Sequence, residues 1–451
     1  MIGSSQSDPL LARLNASLVW ATNTVKSARP DSQIWCPDAD DSAIRPIDKM
    51  VLEASLLALV AGRCQGARAA AEDLIQEVAK HTEVASRIYE IVRWRPHLRT
   101  SLGLLWLAFD SFDCGDASQR RAIRDLWESE PFPTQPNERP PYRLLDQAWV
   151  SSKVRGDIDP AIAAGVLVPF TPLGNLDGAP FMHRSDLYAL THTAMYITDF
   201  GEWSSPDTYS SEVISAISLS RLMDGDFDLA AELALADVLI GDAAADVGQV
   251  IVRAVLNDVF DAIGRIPSPT FEQTEYALAA DPDTYLRYHS YHTTFVYALL
   301  CHGILQDRSR RTTTLDSTLS VNKTRTWHSD EVCPMPHPID NIGALVADHT
   351  QKWAAVCNAR GGSFDVGGTD LLRRVLDAHL VRAVYTDQVD DIVQLLGMSK
   401  IGGQSRVDKL VRAHVSQRSR LTMASQGDST LAGSVAAAFE EKNPIPQSQP
   451  A

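Results

Sequence analysis

The chain has 451 residues, 45% of them hydrophobic and 22% charged, which supplies apolar material for one large domain or two ordinary ones. Asp and Glu number 57 against 41 Lys and Arg, a formal charge of -16, so nucleic acid and anionic membrane, which need a basic footprint, are excluded as partners. No run approaches the ~18 apolar residues of a spanning helix, and the opening MIGSSQSDPLLARLNASL lacks the basic start and apolar core of a signal peptide.

Six scattered cysteines, Cys36, Cys64, Cys114, Cys301, Cys333 and Cys357, read as free thiols of a reducing compartment. The expectation is a cytoplasmic protein. In chain order, apolar periodicity predicts helices over 15–28, 47–64, 83–92, 102–112, 142–153, 186–200, 210–223, 228–240, 248–263, 284–306, 344–358, 369–384 and 390–398. Two-residue alternation is almost absent, so the fold class is all-α. Antiparallel helices in this number suggest an α/α toroid, a ring of helical hairpins around a cavity, with a right-angled helical solenoid as the alternative. No repeat of fixed period supports the open solenoid. Residues 1–424 read as one domain, with a polar loop or lid at 307–341 and a flexible tail at 425–451. The glycines of ARGGSFDVGGTD read as a turn ending in an N-cap at Thr369.

Two predicted helices carry chemistry. In DLYALTHTAMYITDFG, with Tyr188 at zero on a 100° wheel, His192 falls at about 40°, Tyr196 at about 80° and Asp199 at about 20°. Leu187, Leu190, Ala194 and Ile197 occupy the opposite side. One face is aliphatic, and the other presents proton-transferring groups whose burial would cost desolvation. In DPDTYLRYHSYHTTFVYALLCHG, Tyr285, His289 and His292 share a face. The two histidines suit either a pair of metal ligands or a base with its orienting group. His302 lies roughly 15 Å farther along the helix and stands outside that cluster. Asp228 and Glu232, four apart on one face, could orient an imidazole or act in general acid–base work, but read first as an acidic first turn and a solvated face.

The segments LTHTAMYITDFG and YHTT, together with RPIDKMVLEASLLAL, resemble an uncharacterised, mainly actinobacterial all-α family over roughly 45–303. That resemblance implies occurrence in specialised-metabolite gene clusters and supplies no reaction. Asp38-Ala39-Asp40-Asp41-Ser42-Ala43 is similar to the D-x-D-D-T-A of class II terpene cyclases, in which the middle aspartate protonates an alkene. Cys301-His302-Gly303 is similar to the zinc-binding C-H-G of lanthionine cyclases, but the earlier cysteine that site needs is missing.

The sequence therefore leads to an enzyme performing acid–base elimination, isomerisation or cyclisation on a small organic substrate. His192 is the base or acid, Asp199 or Tyr188 orients it, and His292, with His289 beside it, is the complementary acid. No cofactor and no metal are expected. The alternatives are a metal-dependent hydrolase using His192, His289 and His292, a terpene cyclase-like enzyme, and a non-catalytic helical scaffold.

Overall fold

A computed structural model describes residues 8–28, 45–95, 98–129, 139–154, 160–205, 209, 211–241, 247–310, 345–349, 364–398 and 405–426. The DADDSA segment at 38–43, residues 311–341 of the expected loop and 427–451 of the expected tail lie outside them. Among the described residues helices are the repeating element, and the one extended pairing is an isolated parallel bridge between Tyr209 and Gly241. The all-α expectation holds. None of the described helices is long and apolar enough to cross a membrane.

In chain order the helices are α1 (Pro9–Ser27), α2 (Pro46–Ala61), α3 (Arg68–Ala79), α4 (Thr82–Trp94), α5 (Arg99–Ser111), α6 (Ala117–Ser129), α7 (Pro141–Val154) and α8 (Pro160–Leu167). They continue with α9 (Arg184–Ile197), α10 (Ser211–Met223), α11 (Phe227–Ile240), α12 (Val247–Ile263), α13 (Gln273–Leu278), α14 (Pro282–Tyr288) and α15 (Tyr291–Arg310). The last three are α16 (Phe364–Tyr385), α17 (Val389–Met398) and α18 (Arg406–Gln426).

Local chemistry sets several of these starts. Proline stands at the first turn of α1, α2 and α14, where its missing N–H costs nothing. Asp8 caps α1 by accepting from the Leu10 amide at 2.9 Å, and Asp226 caps α11 by accepting from the Leu229 amide at 3.2 Å. Gly225, at φ 76°, makes the left-handed turn that separates α10 from α11.

Helix α11 is the centre of the molecule. It packs against α9, α10, α12 and α15, and its residues from Phe227 to Asp237 are all buried. A helix that is apolar nearly all round belongs inside. Around it, α15 also packs on α1 and α2, and α7 packs on α9. These contacts bring α2, α9, α11 and α15 together at one place.

Three sequence expectations need correction. The helix expected over 284–306 is two helices: the His289 carbonyl accepts from the Ser268 amide at 2.7 Å, which diverts it from the helical ladder. The helix expected over 186–200 ends at Ile197, because Asp199, Phe200 and Gly201 adopt φ values of 49°, 53° and 98°. Residues 364–370 of the expected glycine-rich turn are instead the start of α16, which begins at Phe364 and runs through Gly367 and Gly368, while 359–363 lie outside the described residues.

Candidate metal centre

Helix α11 supplies the two carboxylates of the site. Asp228 and Glu232 are 4% and 2% exposed, so the expected solvated face is wrong: α11 has no polar side for them to occupy. From α15, His292 directs Nε2 at them, 3.5 Å from Asp228 Oδ1 and 3.8 Å from Glu232 Oε1. Asp228, Glu232 and His292 each offer one ligand atom, all within 4.8 Å of one another. From α9, His192 Nε2 stands 3.9 Å from the same Glu232 Oε1. The facing His292–carboxylate separations exceed those of N–H···O hydrogen bonds. Two ligands of one ion at ~2.1 Å stand roughly 3 to 3.6 Å apart, so these atoms are a short inward movement from a coordination sphere.

The surrounding bonds hold each donor in place. Glu53 of α2 meets His292 Nδ1 at 2.9 Å; with a proton held there, an ion that displaced the Nε2 proton would find the Nε2 lone pair directed at it, the arrangement of a carboxylate–histidine–metal relay. Tyr188 donates to Asp228 Oδ2 at 2.5 Å, and Thr293 donates to Asp228 Oδ1 at 3.0 Å. Thr191 donates to Glu232 Oε2, which leaves Oε1 directed at the histidines. Asp228 Oδ2, Glu232 Oε2 and His292 Nδ1 are thus occupied, while Asp228 Oδ1, Glu232 Oε1 and His292 Nε2 converge at separations longer than hydrogen bonds.

Electrostatics describe a site short of positive charge. Burial, and then the neighbouring negative charge of Asp228, push the Glu232 carboxyl up. Burial would lower His292, but Glu53, Asp228 and the Glu53 hydrogen bond outweigh it and push the imidazole up to about 10. Burial would raise Glu53, yet the His292 charge and hydrogen bond carry it down. His192 moves the other way: burial and the charges of Arg143 and His292 lower it to about 4, so it is a neutral base. The side chains of His192 and His292 remain 29% and 31% exposed, so solvent reaches both.

Of the residues singled out in the sequence, the structure brings together Tyr188, His192 and His292. It does not bring Asp199 and His289 with them. The left-handed turn after α9 swings Asp199 off the α9 stripe, and its fully buried carboxylate accepts from Trp149 Nε1 at 2.7 Å, from Arg63 at 3.0 Å and from Lys153. His289 lies at the break before α15, stacked on Tyr285 with ring centroids 4.2 Å apart and with Nδ1 3.0 Å from Thr270. Cys301 and His302 are buried and belong to no ligand cluster among the described residues.

Asp228, Glu232 and Glu53 were missed as site residues. The sequence signal was present for the first two: FDLAAELALADVLI has so few polar positions that its carboxylates had to be buried, hence paired. Nothing local marks Glu53, whose role depends on α2 crossing α15.

A family model described as a domain of unknown function (DUF6895) matches residues 14–302. The chain belongs to this family. The DUF6895 span contains Glu53, Tyr188, His192, Asp228, Glu232 and His292, whereas α16, α17 and α18 lie beyond it. No curated protein and no solved structure matches the chain.

Proposed function

We propose that the protein is a metal-dependent hydrolase of small organic molecules, with Asp228, Glu232 and His292 as the metal ligands. The observation that carries this reading is the convergence of Asp228, Glu232 and His292 on one place while Asp228 Oδ2, Glu232 Oε2 and His292 Nδ1 are each already held by Tyr188, Thr191 or Glu53. Two carboxylates and one imidazole suit zinc or another first-row divalent ion. Three protein ligands leave coordination positions open, as in catalytic rather than structural sites. A cation held there supplies Lewis acidity toward a substrate oxygen. Neutral His192, beside Glu232, takes the proton from an attacking water as the new C–O bond forms. It then returns that proton to the leaving group as the scissile bond breaks.

A second reading has a specific observation behind it. Glu232 is pushed toward its neutral acid form and His192 toward its neutral base form, the separation that metal-free elimination, isomerisation or cyclisation would use. Metal analysis separates the two. On the hydrolase reading, protein loaded with zinc or manganese and then desalted retains about one ion per chain, and Asp228→Asn, Glu232→Gln and His292→Gln each lose it. Wild-type protein that retains no more ion than these variants would leave the acid–base reading in its place.

A further inference from the structure

One cation faces this site from α7. The Arg143 guanidinium stacks on the Tyr142 ring, with Cζ 5.1 Å from its centroid, and that ring lies 5.8 Å from the ring of His192. The side chain of Arg143 is 42% exposed, and its nearest carboxylate, Asp146 Oδ2, is 3.7 Å away. That contact is longer than an N–H···O hydrogen bond of ordinary length, and the solvent-facing part of the five-donor guanidinium remains within reach of a ligand. Tyr142, Tyr188 and Tyr196 surround His192, with ring centroids 5.8, 6.4 and 6.1 Å from its own. A substrate approaching His192 therefore passes an aromatic wall with a guanidinium at its edge.

The contrast with other arginines near the site sharpens the assignment. Arg63 is committed to the carbonyl and carboxylate of Asp199. Arg184 donates to Tyr188 and to Asp226, each at 3.0 Å. Arg143 holds its carboxylate neighbour Asp146 only at 3.7 Å and leans on the Tyr142 ring. A guanidinium is a planar fork suited to two oxygens of one anion.

We propose that Arg143 is the anion-recognition residue of this site, and that the substrate carries a carboxylate or phosphate group beside an aromatic or other flat body packed on Tyr142. The proposal rests on the hydrolase reading for which group reacts, but not for the binding itself. The Arg143 fork would hold the anionic group at the rim, leaving the reacting bond to reach His192 and the carboxylates of α11.

Calorimetric titration with benzoate, phenyl phosphate and the neutral control benzamide tests this, with retained metal measured on the same samples. The expected result is that one of the two anions binds at least about tenfold more tightly than benzamide. Arg143→Gln should abolish that preference and Arg143→Lys should restore part of it, with metal retention equal in all three proteins. Which anion binds distinguishes a carboxylate substrate from a phosphate substrate. A preference that survives in Arg143→Gln, or no preference in the wild type, would overturn the proposal. Arg143-dependent anion binding in protein that retains no metal would support it while removing the metal-dependent reading.

Discussion

Asp199 and His192 fall on one helical stripe when the sequence is drawn on a wheel, yet their surroundings make them opposites. Asp199 is 0% exposed and accepts from Trp149, Arg63 and Lys153, so its charge is fully compensated and its job is to join α7, the end of α2 and the turn after α9. Removing it leaves two cations and an indole N–H without their acceptor. Asp199→Ala should therefore lower unfolding free energy by about 3 kcal/mol in urea titration, with metal retention unchanged in the folded protein. A loss under about 1 kcal/mol would mean that the network contributes little. His302 gives the complementary case. It is 1% exposed, and both ring nitrogens lack hydrogen-bond partners, with burial pulling it down to about 3. Replacing unsatisfied buried polar atoms by an apolar group of similar size is near neutral or stabilising, so His302→Leu should melt no lower than the wild type by calorimetry. A clear drop in melting temperature would contradict that account.

At the scale of elements, the stop after α9 decides which side chains share the site. Three successive left-handed residues, Asp199, Phe200 and Gly201, turn the chain, and Thr198 accepts at its carbonyl from Gly201 and Trp203 at 3.0 and 2.8 Å. Gly201 has φ 98°, and a Cβ there would come 3.2 Å from Leu239 of α11. Gly201→Ala should cost about 1–2 kcal/mol, measured by urea titration; an unchanged midpoint would show that the turn is not what fixes the helix end. The stripe of α9 was legible as far as Tyr188 and His192 because apolar residues fill the opposite side. Its end was not, since ITDFG has no proline and the tertiary contacts of Asp199 and Phe200 stabilise φ values that local propensity disfavours. The break between α14 and α15 was hidden for the same kind of reason: the Ser268 amide that takes the His289 carbonyl is distant in sequence. That one bond separates His289 from His292.

For the molecule as a whole, the helical class was legible from periodicity, and the position of the site was not. Four helices distant in sequence, α2, α9, α11 and α15, each contribute between one and three groups, and α11 joins them because its apolar circumference places it at the centre. A cation bridging α11 and α15 binds the folded chain and not the unfolded one, so it adds stability by linkage. Saturating zinc should raise the melting temperature of metal-free protein by several degrees, on the order of 3 kcal/mol at a hundredfold excess over Kd, and should leave His292→Gln unmoved. The most direct measurement is a cobalt(II) titration of metal-free protein followed by visible absorption. The account predicts that the d–d bands saturate at about one equivalent per chain and are absent in Glu232→Gln and His292→Gln. Cobalt bands of the same intensity in His292→Gln, or no saturable band in the wild type, would contradict it.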